Sequence, residues 1–182
     1  MIWSGSLVTA SARWLVPDWM IHPPPLFPTN EWGVVANSCQ LGLRIPKFQF
    51  ELGEQIVPTV ILRNVGDRNV MYVLMFEHWD YEVIVKRADG RAVPYTDWWA
   101  GFKDRLGSLP IQSRIQMTLE PHQETPAASG WVGVSHRYKM DMLGDYIITV
   151  KRQVWGSTGW FDVLSNPVTV TIVAPSATKP PK

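Results

Sequence analysis

Residues 81–94 read YEVIVKRADGRAVP, and the class of fold turns on how this stretch is read. Tyr81, Val83 and Val85 alternate with Glu82, Ile84 and Lys86, the two-residue period of a strand with two unlike faces. Ala88-Asp89-Gly90-Arg91 then supplies a reversal, because Asp-Gly reaches the positive φ of a tight hairpin turn at small steric cost. Ala92 to Thr96 is expected to return beside the first strand.

The same grammar recurs on both sides. Upstream, Leu41, Leu43 and Ile45 alternate, Phe48 and Phe50 continue past Pro46, and Val57 to Asn64 follows a break at Gly53-Glu54. Val70 to Glu77 is apolar on both faces, as a central strand requires. Downstream, Ile111 to Leu119, Trp131 to Tyr138, Ile147 to Trp155, Trp160 to Leu164 and Val168 to Val173 complete about nine short strands. No long segment has the 3.6-residue period of a helix, and the Trp98-Trp99-Phe102 region reads as a loop with at most one helical turn. Strands spaced this closely, without crossover helices, pair antiparallel, so the expectation is all-β: an immunoglobulin-like sandwich of about 7–9 strands.

Three zones follow. Residues 1–38 form a Pro- and Trp-rich arm, residues 39–173 the sandwich, and residues 174–182 a polar tail expected to be disordered. The arm carries Trp3, Trp14, Trp19 and Trp32 with five prolines, and only Arg13, Asp18 and Glu31 bring charge to it. Ala10-Ser11-Ala12 has the form of a signal-peptidase site, but the nine residues before it lack a basic region, so the arm is read as retained. An apolar arm must find contacts to offset the ordering of its backbone, about 1–2 kcal/mol per residue. It either packs back over the sandwich, docks on another subunit or membrane-associated assembly, or inserts at a membrane interface, for which it offers only Arg13 to anionic headgroups.

Composition narrows the function. The 182 residues have a net charge of +1 and no basic run, which excludes an electrostatic footprint for nucleic acid. No apolar run is long enough to span a membrane. Cys39 is the sole cysteine, so neither a disulfide within the chain nor a cysteine-based metal site is available. The four histidines, His22, His78, His122 and His136, lack local metal-ligand spacing. There is no G-x-S-x-G elbow and no phosphate-binding glycine loop; Ser135-His136 with Asp141 lacks any orienting context. No catalytic, cofactor-binding or metal-binding residue is therefore assigned, and the chain is read as a non-enzyme.

Several short strings, in order, resemble one family. Gly53-Glu54-Gln55-Ile56, with Asn64-Val65-Gly66-Asp67 after it, resembles the opening of bacterial immunoglobulin-like domains. Asp89-Gly90-Arg91-Ala92-Val93-Pro94 is similar to their central hairpin, and Leu119-Glu120-Pro121-His122-Gln123-Glu124 to their L-x-P-G-E loop, with His122 where glycine is usual. Gly144-Asp145-Tyr146-Ile147-Ile148 and Ser165-Asn166-Pro167-Val168-Thr169-Val170 resemble the closing strands. The resemblance spans about residues 40–173 and extends distantly to sandwiches of the intracellular proteinase inhibitor type. It implies a fold and an extracytoplasmic home, in periplasm or cell envelope, and supplies no site. Lack of disulfides is also compatible with the cytoplasm.

The functional expectation is an accessory subunit that binds protein, docked by its arm on a larger membrane-associated assembly. The candidate partner-binding residues are Trp3, Trp14 and Trp19 of the arm, and Trp98 and Trp99 of the domain, because exposed tryptophan is the commonest anchor of protein interfaces. The alternative is a binding module working through loops, inhibitor-like or carbohydrate-binding. Far-ultraviolet circular dichroism should be dominated by β-structure; helix above about a third of the signal would overturn the all-β reading.

Overall fold

The computed structural model describes residues 31–74, 80–107, 115–126, 128, 133–156 and 159–176. These form β1 (Cys39–Arg44), β2 (Gln49–Glu51), β3 (Thr59–Asn64), β4 (Val70–Leu74), β5 (Glu82–Arg87), helix α1 (Asp97–Gly107), β6 (Ile115–Leu119), the single helical turn α2 (Val134–Arg137), β7 (Gly144–Gly156), β8 (Gly159–Leu164) and β9 (Val168–Val173). The described chain is mostly β, in two sheets and no closed barrel. β1 and β3 make the smaller sheet; the larger runs β2-β9-β7-β4-β6, with β5 and β8 also paired to β7.

β7 is the spine of the larger sheet. Gly144–Ile148 pair with β9, Tyr146–Lys151 with β5, Lys151–Gly156 with β8, and Trp155 with Met71 of β4. Its even-numbered residues from Tyr146 to Val154 are buried, the alternation of a strand with one face on the core. Both sheets feed one hydrophobic cluster: Leu41, Leu43, Val60 and Leu62 from the smaller, Val83, Val85, Ile148, Val150, Val163 and Val170 from the larger. Cys39 is fully buried there, and burial pushes its thiol up to about 11, so it packs as a small apolar residue.

Two short side chains tie the sheets together. Asn166 accepts from Leu43 N at 3.1 Å through Oδ1 and donates to Leu43 O at 3.3 Å, so a loop amide completes the ladder of β1. Ser165 Oγ accepts from Val150 N at 2.9 Å and donates to Asn166 O at 2.8 Å. A third side chain, Asn64, is 1% exposed and closes the end of β3. Its Nδ2 lies within bonding distance of the carbonyls of Arg68, Leu119 and Glu120, and its Oδ1 accepts from Gly66 N at 3.0 Å.

The last residues of the expected arm belong to this framework. Trp32 bridges Gly42, packs on Ile61, and has the Arg63 guanidinium 3.9 Å from its ring centroid. Gly33 passes so close to the β8–β9 junction that a Cβ there would lie 2.0 Å from Leu164 O. Trp3, Trp14 and Trp19 lie outside the described residues. At the other end, Ser176 N donates to Glu51 Oε1 at 3.1 Å, which carries the chain three residues past β9; positions 177–182 fall outside.

Several expectations are corrected. Ala92 to Thr96 forms only isolated bridges, at Ala92 and Tyr95, and no strand. The predicted strand over Trp131 to Tyr138 is the helical turn α2 where it is described. Strand pairing is antiparallel except at β2, whose three residues run parallel to β9 because the chain reaches that edge by a long route, and the isolated bridge from Leu41 to Ser165 is parallel too. The turn after β5 is as read: Gly90 has φ +84° and Gly90 N donates to Arg87 O. His122 adopts φ +61°, in the left-handed region that favours glycine.

Replacing Asn64 with leucine, close in shape but with no hydrogen bond to give, should lower stability by about 1–3 kcal/mol in urea unfolding with an unchanged slope, because the buried Leu119 carbonyl and the Gly66 N–H lose their partner. A loss under about 0.5 kcal/mol would remove Asn64 from this role.

Candidate functional site

The region expected as a loop around Trp98 and Trp99 is the 11-residue helix α1. Thr96 starts it: its Oγ1 accepts from Trp99 N at 3.2 Å and its carbonyl from Ala100 N at 2.9 Å, the geometry of an N-cap. Asp97 in the first turn and Arg105 in the last complement the helix dipole. Thr96 also fastens α1 to α2, donating through Oγ1 to His136 O at 2.6 Å and through its backbone N to Arg137 O. Lys139 pairs with Asp97 at 2.8 Å and holds that carboxyl below its usual range.

The helix separates the two tryptophans. Trp99 is 5% exposed and faces inward, with the buried Arg137 guanidinium 4.4 Å from its ring centroid. Trp98 is 51% exposed. Its ring stacks on Phe102, one turn along, at 5.4 Å and 6° between planes, and lies 6.2 Å from the His136 ring. Trp98, Phe102 and His136 thus form an open aromatic ledge above a closed Trp99–Arg137 stack. Beneath it, Tyr138 donates its hydroxyl to Val83 O and packs on Tyr95 at 5.0 Å; burial keeps the Tyr138 phenol protonated far above its ordinary range.

Beside the ledge lies an open cleft of about 360 Å³ whose polar lining includes Glu54, Gln55, Thr96, Ser135, Lys139 and Asp141. Its one serine is engaged in holding the backbone: Ser135 Oγ donates to Glu54 O at 2.8 Å and accepts from Ile56 N at 3.2 Å. Among the described residues no group of three or more His, Cys, Asp or Glu side chains is placed to hold a metal. Asp80 is buried, and its charge acts on Tyr72 and Tyr81 together with that of Arg152.

Of the sequence-derived candidates, Trp98 and Trp99 are adjacent at this end of the domain, and only Trp98 is open to a partner. The sequence reading missed His136 as a neighbour of Trp98, which spacing along the chain cannot reveal. It also missed Trp155 and Trp160, two exposed tryptophans on the larger sheet, which were taken only as strand residues. The signal for them was present: both precede or follow the Gly156–Gly159 turn and fall on the polar phase of their strands.

No protein-family profile matches the chain, and neither does any curated protein sequence. Among solved structures, a Northeast Structural Genomics Consortium target is similar over 82% of this chain and 96% of its own, at 12% identity and a TM-score of 0.42. A β-glucosidase from Erythrobacter marinus is similar over 75% of this chain at 15% identity and a TM-score of 0.38, and a β-glucosidase from Listeria innocua over 74% at 12% and 0.36. The matched region spans 15% and 16% of those two enzymes.

The two tryptophans should behave oppositely. Trp99→Ala should destabilise by about 3–5 kcal/mol, since it opens a cavity and strips the buried Arg137 of its aromatic face. Trp98→Ala should stay within about 0.5–1 kcal/mol of the parent. Thermal or urea unfolding of both variants checks this, and equal effects would contradict the separation.

Proposed function

We propose that this chain is a non-catalytic accessory subunit, an immunoglobulin-like sandwich that binds protein partners in a larger membrane-associated assembly of the bacterial envelope. The observation that carries the reading is Trp98, half exposed and stacked on Phe102 at the end of a rigid, capped helix. A stiff amphipathic ring held ready in this way loses little entropy on binding, which is what an interface anchor needs. Thr96, Asp97 and Lys139 beside it are committed to backbone and ion-pair contacts, which favours recognition over chemistry. Trp3, Trp14 and Trp19 are the further anchors in this reading. The periplasmic or envelope location rests on the family resemblance of residues 53–67, 89–94 and 165–170. Among the described residues no helix is long and apolar enough to cross a membrane, so attachment in this reading is through a partner.

A photocrosslinking amino acid placed at Trp14 and, separately, at Trp98 in the full-length protein should capture the same partner from native membranes, identified by mass spectrometry. The same probe at Phe48, an exposed residue just before β2, should not. Deleting residues 1–28 should leave the domain folded and abolish recovery with the assembly. A truncated protein that unfolds would mean the arm completes the domain's own core, and the docking role would be dropped.

A further inference from the structure

The outer face of the larger sheet carries a second aromatic surface, separate from α1. Trp155 of β7 and Trp160 of β8 are direct cross-strand partners, and their inward neighbours Val154 and Val163 are fully buried. The strand period therefore turns both indoles outward, and they are 39% and 50% exposed. The rings meet edge to face, 5.3 Å between centroids and 78° between planes. Met71, opposite Trp155 across the ladder, lines the same groove with Val73 and Gln116. Its volume is about 220 Å³, smaller than a drug-sized pocket and suited to a single six-membered ring.

The chemistry of this corner selects its occupant. No formally charged side chain lines it, and on the same face Lys151 pairs with Glu82 at 2.7 Å and Asp162 at 3.5 Å, one cation against two carboxylates, so nothing there attracts an anion. Charge complementarity thus calls for a neutral ligand. Met71 and Trp155 stand in strands paired on both sides, and β8, which carries Trp160, is paired only to β7. Polar recognition falls to the amides of Gln116 and of Gln153, which stands two residues before Trp155 on the same face. The Gln116 Nε2 rests only on Met71 Sδ, a weak acceptor that a hydroxyl readily replaces. Amides donate and accept, as hydroxyls do, and the indole faces are apolar.

We propose that this corner is a binding site for a neutral saccharide. One pyranose unit of a glycan stacks its C–H face on Trp160, meets the edge of Trp155, and directs its hydroxyls to Gln116 and Gln153. A proline-rich peptide, the other common occupant of aromatic grooves, needs an open channel between rings; the near-perpendicular pair closes that channel into a corner.

The test uses the full-length protein and a panel of neutral hexasaccharides, β-1,4-linked glucose, N-acetylglucosamine, mannose and xylose and α-1,4-linked glucose, followed by calorimetry and tryptophan fluorescence. A heparin hexasaccharide and a proline-rich decapeptide are the counter-probes. At least one neutral hexasaccharide should bind, with an affinity insensitive to added salt. Trp160→Ala should weaken it about tenfold or more, Gln116→Leu less, and Trp98→Ala not at all. Should a tryptophan variant fail to fold, the indole N–H resonances of the parent protein decide: those of Trp155 and Trp160 should shift on saccharide addition while that of Trp98 stays. The proposal is overturned if no neutral saccharide binds, if binding survives both Trp→Ala changes, if the Trp98 resonance alone responds, or if only heparin or the peptide binds. None of these outcomes bears on partner capture at Trp98.

Discussion

The ladder along β7 is the constraint on which the rest of this structure depends. Buried backbone N–H and C=O groups must be paired, and a strand of 13 residues exposes two long rows of them. β9 and β8 share one stretch after another of that strand, and β5 and β4 take further stretches. The chain must change partners midway, and the break between β8 and β9 is where a gap would open. Ser165 fills it: its backbone N bonds to Val150 O and its hydroxyl takes Val150 N. Asn166, next in sequence, repeats the device for β1. Two adjacent polar residues thus let one strand end, the next begin and the second sheet attach.

This explains which parts of the fold were legible. The strings that carried the family resemblance are places where backbone geometry or backbone satisfaction depends on one side chain. Asn64 answers three carbonyls, Ser165 and Asn166 bridge the sheets, Gly90 supplies a positive φ, and Tyr146 donates its hydroxyl to Met142 O four residues upstream. Strand period located the core equally well, since Leu41, Leu43, Val83 and Val85 are all buried.

The illegible parts depend on contacts between distant segments. α1 has only Trp98, Trp99 and Phe102 to mark a helical face, and its start depends on Thr96 being held by His136 and Arg137, about forty residues on. Arg152 occupies a core position of β7 that period alone would reserve for an apolar residue. Its guanidinium lies 4.7 Å from the ring centroid of Tyr72 and 4.3 Å from that of Tyr81, and its Nη2 donates to Val73 O. Nothing near Arg152 in sequence announces those partners. Strand period places Trp155 and Trp160 outward, but the groove beside them is completed by Met71, Val73 and Gln116, which are distant in sequence.

The late position of β9 has a consequence for synthesis. β1 and β3 can pair early, but Leu41 and Leu43 obtain Ser165 and Asn166 only after more than a hundred further residues have been made. β2 waits as long for β9. On the ribosome, the smaller sheet therefore stands with a naked apolar face while most of the chain emerges, a state prone to aggregation and slow to resolve because its remaining contacts are distant in sequence. A domain wired in this order depends on the cell to shield it until its final strand is released.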